Sequence, residues 1–203
     1  MIRVGVILGS TRPNRRGEQV LRWVTEVAAR HPAVAEGEVA IEPVDLADQG
    51  LPLLDEPAPP MAGGYRRPHT LRWAETIDAL DGFVFVTPEY NHSIPGALKN
   101  AVDFLYAEWN HKAAGFVGYG PTGAIRAVEH LRLILAEVKV AGVRDQVALS
   151  MFNEWEWTDP ADPAHPGRIA PGEHQEPTLM QMLDDVIAWS RALRPLRQAP
   201  VSA

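Results

Sequence analysis

The chain contains no cysteine. That one absence excludes disulfide bridges, thiolate-bound zinc, iron–sulfur clusters and a cysteine nucleophile. Nor does any run approach the ~18 uninterrupted apolar residues of a membrane span. The first residues lead straight into an apolar run, without the charged start and apolar core of a signal peptide. Positive charge is scarce: 19 Lys and Arg against 26 Asp and Glu give a formal net charge of -7. A broad nucleic-acid-binding face needs the opposite balance. We therefore expect a cytoplasmic protein that binds neither membrane nor nucleic acid. No metal is expected, because His111 with Asp103 or Glu108 lacks ligand spacing. What is present is 203 residues at 46% hydrophobic content, enough for one substantial core in a single domain.

Short apolar runs alternate with helical patterns along the chain. Residues 2–8 are β-branched and nearly unbroken, as expected for a strand covered on both faces. Residues 19–30 place Val20, Trp23, Val24, Val27 and Ala28 at helical spacing, and Pro32 comes just after them. Residues 39–46 read as a second strand, and Pro43 assigns it to an edge, since proline cannot donate to a central ladder. Residues 48–68 form a long loop rich in proline and charge, followed by a helix over 70–80. Further strands are predicted over 82–87, 114–119 and 147–149, with helices over 96–106, 124–138 and 177–194. Residues 153–175 show little periodicity.

This alternation implies parallel strands joined by right-handed crossovers, hence an α/β three-layer sandwich. The single domain would span 1–203, with a core over about 1–150 and a C-terminal loop and helix over 153–195. Ligands of such sheets bind beyond the carboxyl ends of the strands, at the topological switch point. The loops after the first, third and fourth strands lie at that edge and are the three richest in glycine and polar residues.

The first of these is Gly9-Ser10-Thr11-Arg12-Pro13-Asn14-Arg15-Arg16-Gly17. A helix start supplies unpaired N–H groups and a favourable dipole, Ser10 and Thr11 add short donors, and Arg12 can clasp phosphate oxygens. It lacks the Gly-Lys-Ser/Thr ending of a nucleotide-triphosphate loop and the spacing of the dinucleotide fingerprint. The second loop, Thr87-Pro88-Glu89-Tyr90-Asn91-His92-Ser93-Ile94-Pro95-Gly96, offers a ring and fixed amides to a planar heteroaromatic ligand. Ser93 is also placed to cap the helix next to it. The third, Gly118-Tyr119-Gly120-Pro121-Thr122-Gly123, lets backbone approach whatever the second holds. Taken singly, the first and third loops can also be plain turns.

Gly9-Ser10-Thr11-Arg12, the run Thr87-Pro88-Glu89-Tyr90-Asn91, the segment Pro95-Gly96-Ala97-Leu98-Lys99-Asn100-Ala101-Val102-Asp103 and residues 120–132 resemble the NADPH-dependent FMN reductase family. That family includes flavin, quinone, chromate and azo-dye reductases, and the resemblance covers roughly residues 1–150. It implies a flavodoxin-like fold with a five-stranded parallel sheet ordered 2-1-3-4-5. It further implies that Ser10 and Arg12, with the chain up to Arg16 and Gly17, hold the FMN phosphate. Pro88, Glu89, Tyr90 and Asn91 would line the flavin ring, and Gly118, Tyr119 and Gly120 would approach it from the other side. Many relatives carry a second glycine where Ala124 stands here.

No nucleophile or acid–base pair stands out, which fits chemistry carried by a cofactor, with no catalytic side chain. The expected function is therefore hydride transfer from NADPH or NADH through bound FMN to a quinone, flavin or similar small acceptor. The alternative is a flavin-binding electron carrier or redox-responsive interaction protein with little turnover. A flavin-free transferase would need Glu89 as its carboxylate. The resemblance also implies a homodimer or homotetramer. His92 and His69 read as a helix-terminal contact and a surface residue, and Trp109, Trp155 and Trp157 as packing or border aromatics.

Overall fold

The computed structural model describes residues 1–157, 159, 161–162 and 164–198. Its elements run β1 (Ile2–Leu8), α1 (Gly17–Ala28), α2 (Pro32–Ala35), β2 (Val39–Asp45), α3 (Pro68–Asp78), β3 (Gly82–Pro88), α4 (Gly96–Asp103), β4 (Lys112–Gly120), α5 (Ile125–Glu137), β5 (Val140–Ser150), β6 (Trp155–Glu156), β7 (Arg168–Ile169) and α6 (Gln175–Gln198). Five parallel strands form one sheet ordered β2-β1-β3-β4-β5, the order the resemblance implies. Pro43 does lie on the edge strand β2.

Side-chain alternation sorts the core into two halves. From β3, Phe83 and Phe85 pack with Ile7, Phe116 and the apolar sides of α3, α4 and α5. Val84 and Val86 face the other way, joining Val4, Val6, Leu8 and Val117 against α1 and α6. β2 is added on one side of β1 and β3 on the other, so the loops after β1 and β3 diverge at the sheet's carboxyl edge. That is the switch point at which such sheets open a crevice.

Several expectations need correction. β5 is much longer than 147–149, because its first half is disguised by a bulge. Ala114 pairs with Gly142 but Phe116 pairs with Gln146, so Val143, Arg144 and Asp145 bulge opposite one residue. Arg132 holds the bulge by donating to the carbonyls of Val143 (2.5 Å) and Arg144 (3.1 Å). Ser93 does not cap α4. The position before that helix is Pro95, and the Ser93 hydroxyl bonds instead to His130 Nδ1 at 3.0 Å. Residues 153–175, without sequence periodicity, contain the antiparallel hairpin β6–β7. Asn100 fastens the long loop over 48–68, accepting from Leu54 N (2.9 Å) and donating to the Pro52 carbonyl (2.7 Å). Trp109 packs in the core against Phe83 and Trp73. Among the described residues, no helix is long and apolar enough to cross a membrane.

Candidate functional site

β1 delivers the first loop to the switch point, where Gly9 N donates to the Val86 carbonyl at 2.9 Å. Ser10, fully buried, is the loop's hub. Its hydroxyl lies 2.9 Å from the Tyr90 hydroxyl and 3.4 Å from Arg12 N. Tyr119 reaches under the same loop from β4, and its hydroxyl also bonds Ser10, while burial pushes its phenol pKa up. Gly17 opens α1 directly above that phenol. A Cβ there would stand 2.5 Å from Tyr119 Oη and 2.5 Å from Leu8 Cδ1, so the close approach of helix to strand requires glycine.

The three arginines of the loop have different fates. Arg15 is turned inward: it donates to the Ser10 carbonyl (2.8 Å), pairs with Asp45, and sets its Nε 3.2 Å from Glu18 without hydrogen-bond alignment. Its charge is neutralised by carboxylates, and its function is to brace the loop. Arg16 donates to the carbonyls of Pro166 (3.0 Å) and His165 (3.2 Å), and its guanidinium lies 4.7 Å over the Trp157 ring. Burial, then the nearby Arg12 charge, lowers its pKa. Arg12 is exposed, and among the described residues nothing pairs with its guanidinium.

The second loop folds back at once. Tyr90 N donates to the Ser93 carbonyl (2.9 Å) and Ser93 N to the Tyr90 carbonyl (3.1 Å). The two central residues, Asn91 and His92, have φ of 48° and 74°, as a tight turn of the I′ kind requires. Asn91 stays on the turn's exposed side, and His92 lies 5.8 Å from the His130 ring. Glu89 points across to α5, pairs with Arg126 and accepts from Ala127 N at 3.4 Å. That helix needs a cap from elsewhere, because the residue before it, Ala124, has no acceptor side chain. Burial opposes the charge on Glu89, but Arg126 and the helix N–H groups outweigh it and hold the carboxyl below the usual range. Ala124 itself sits at φ 55°, a left-handed conformation that glycine takes more freely.

In the third loop, Gly118 faces away from the second: a Cβ there would collide with the Gly123 carbonyl. Gly120 makes the approach instead, with φ 152° and Glu89 N as the nearest atom to a hypothetical Cβ, at 4.0 Å. Its carbonyl accepts from Met151 N at 2.9 Å, tying the end of β5 to the site.

Between these loops lies an open cleft of about 170 Å³ whose walls include Arg12, Arg16, Pro88, Tyr90, Gly120 and Met151. Glu89, Tyr119 and Arg15 also line it, while Ser10, Gly17, Asn91 and Gly118 do not. Sequence reasoning had no signal for Met151 or Arg126, whose roles depend on which strand ends become neighbours. A larger cavity, about 270 Å³, lies between Thr11, Leu51 and Asn100, but no charged side chain lines it.

The donor set of the cleft fits FMN. One end carries two guanidinium groups without carboxylate partners among the described residues, with the buried Ser10 hydroxyl and the start of α1 behind them, an arrangement that suits a phosphate dianion. The other end presents proline, glycine backbone, a tyrosine ring and a methionine, which suit a flat heteroaromatic system.

Comparison with known proteins agrees with that chemistry. Residues 2–154 match the family model described as NADPH-dependent FMN reductase. An NAD(P)H-dependent FMN reductase of Nectria sp is 39% identical over 149 residues, covering 70% of this chain and 72% of the relative. A quinone reductase of Escherichia coli is 36% identical over 140 residues, covering 66% and 69%. Among solved structures, the flavoenzyme NAD(P)H:(acceptor) oxidoreductase FerB of Paracoccus denitrificans superposes with a TM-score of 0.69 at 23% identity, covering 95% of this chain and 99% of that one. At that identity the likeness speaks for the fold.

Proposed function

The chain belongs to the NADPH-dependent FMN reductase family, and on that premise we propose that it is an FMN-dependent NAD(P)H oxidoreductase that reduces a quinone, flavin or similar small planar acceptor. The observation that carries this reading is the cleft at the switch point, cationic at one end and flat and amide-lined at the other. When bound, FMN supplies the redox chemistry, accepting hydride equivalents from the nicotinamide and yielding them to the acceptor.

The protein's own part is placement. Ser10, Arg12 and the α1 start would hold the phosphate, with Arg15 bracing the loop from behind through Asp45. The turn at residues 90–93 fixes the backbone of Pro88 and Glu89 against the ring position, and Glu89 locks that turn onto α5. Because the Glu89 carboxylate is committed to Arg126 and the helix N–H groups, it does not serve as a nucleophile or base, which disfavours a flavin-free transferase. Gly120, having no side chain, would leave the opposite wall open to a second planar molecule. Quinone as acceptor rests on relatives named quinone reductase.

The purified protein should be yellow or take up added FMN, and NADPH or NADH should bleach it anaerobically. Colourless protein that takes up no FMN would refute the reading. Steady-state NAD(P)H oxidation with a quinone separates the reductase from an electron carrier. A homo-oligomer is part of the proposal, supported by the exposed apolar side chains of Leu53, Met61 and Leu71 on and beside the long loop. Light scattering after size exclusion tests it, and a monomer at micromolar concentration counts against it.

A further inference from the structure

The β6–β7 hairpin lies beyond residue 154, where the family match ends, yet it is bound to the start of α1 at the phosphate end of the cleft. Gln19 reads its backbone from both sides, donating to the Gly167 carbonyl (2.9 Å) and accepting from Ile169 N (3.0 Å). Arg16 donates to the adjoining carbonyls of His165 and Pro166 and lies over Trp157. The hairpin's two strands are also tied to each other. Trp155 Nε1 donates to the Pro166 carbonyl at 2.7 Å, and at Gly167, with φ 66°, a Cβ would stand 2.8 Å from the Glu156 carbonyl oxygen. At its base, buried Glu154 accepts from Gly172 N and from Gln175 Nε2 (2.9 Å), joining it to α6.

Among the described residues, the partners that hold the Arg16 guanidinium are uncharged. Carbonyl dipoles and an aromatic face fix a guanidinium in place but bring no negative charge. Arg15, its neighbour, meets two carboxylates instead. The fold thus neutralises one arginine of the loop and holds the next rigid with its charge intact, against repulsion from Arg12. In a chain of net charge -7, a cation held beside a second one, neither with a carboxylate partner among the described residues, is suited to receive an anion.

We propose that Gln19 and the β6–β7 hairpin with Trp157 are positioning elements that aim Arg16 at the FMN phosphate, so that this C-terminal segment governs how tightly the cofactor is retained. The inference rests on the FMN reading of the cleft. It makes Arg16 the contact and Gln19 and Trp157 residues that act through it, without reaching the ligand themselves.

Riboflavin, which differs from FMN only in lacking the phosphate, separates this role from a general effect on the cleft. Dissociation constants of both ligands for apo-protein are measured by flavin fluorescence, for the full chain and for Gln19→Met, Trp157→Leu and Arg16→Ala. Removing a hydrogen-bonded constraint on a charged group corresponds to about tenfold weaker FMN binding in the Gln19→Met protein, with riboflavin unchanged within about twofold. Trp157→Leu, on an exposed side chain, should show the same selectivity should Gln19→Met prove poorly folded. Combining Gln19→Met with Arg16→Ala should weaken FMN no further than Arg16→Ala alone. Equal weakening of both ligands, unchanged FMN binding, or additive losses would overturn the inference. A wild-type chain that binds neither flavin would overturn the cofactor reading itself.

Discussion

Two single residues carry more of this structure than their positions in the sequence suggest. Lys112 is almost wholly buried at the start of β4, donating to the carbonyls of Ile77 (2.7 Å) and Asp78 (3.2 Å) at the end of α3. Those carbonyls and the helix dipole favour its charge, but burial dominates and brings its pKa down to about 8. The unfolded chain would keep that proton up to the ordinary value of 10.5. Between those limits the unfolded state binds more protons than the folded one, so stability contributed at this site rises with pH, by about 3 kcal/mol across the window. Chemical denaturation at several pH values should show that slope in the wild type and lose it in Lys112→Met; identical slopes would refute the assignment. Gly17 is the second such residue. Gly17→Ala places a methyl group against Leu8 and Tyr119, an overpacking expected to cost about 1–3 kcal/mol. Because the displaced Tyr119 hydroxyl bonds Ser10, FMN affinity should fall together with the melting temperature. A melt unchanged within a degree or so would show that the strand and helix can separate freely.

At the scale of elements, the second and third loops behave as one unit because Glu89 caps α5 from outside. Glu89→Gln keeps the shape but removes the charge that pairs with Arg126, and should cost about 1–2 kcal/mol at neutral pH. The sign of the pH effect comes from the depressed carboxyl pKa. This contribution is complete above the ordinary carboxyl value and is lost as pH falls through the folded one. The difference in stability between wild type and variant should therefore shrink as the solution is acidified toward pH 4 and below. Amide exchange in the first turn of α5 gives the local readout; unaltered protection there would place the cap elsewhere. Such pairs mark the limit of what the sequence reveals. The strands with continuous apolar runs, β1 and β3, were legible because burial on both faces leaves no other pattern. The first half of β5 was not, since Arg144 and Asp145 belong with Val143 to a bulge that interrupts the apolar pattern. The phosphate loop was legible because it is contiguous. The bracing of Arg15 by Asp45, the Glu89–Arg126 pair and the hold of the hairpin on Arg16 join residues far apart in the chain. Their partners are set by packing, which no local spacing encodes.

For the whole molecule, the question is whether the flavodoxin-like part can stand without the C-terminal hairpin and helix. The family match closes at residue 154, but the layer that covers one face of the sheet does not. Leu179, Met182, Leu183, Val186 and Ile187 of α6 are buried against β1, β3, β4 and β5. Contact is close enough that Phe116 N donates to Met182 Sδ at 3.1 Å, and a Cβ on Gly115 would meet that sulfur at 2.9 Å. The far end of α6 is fastened as well: Arg197 pairs with Asp81 and donates to the His111 carbonyl at 2.9 Å, while Asp81 accepts from Arg3 N at 2.9 Å. Burial of an aliphatic side chain contributes roughly 1.5–3 kcal/mol, so the five together supply on the order of 10 kcal/mol. That is about the entire net stability of a typical domain. A chain ending at residue 154 would expose the inner faces of Val84, Val117 and Val147 and should aggregate or bind a hydrophobic dye, although it retains every loop of the cleft. Adding a synthetic peptide of residues 170–198 in trans should restore some solubility and FMN uptake, since it supplies the missing face without the hairpin. A truncated chain that remained monodisperse and melted cooperatively would show that α1 alone can cover that side of the sheet.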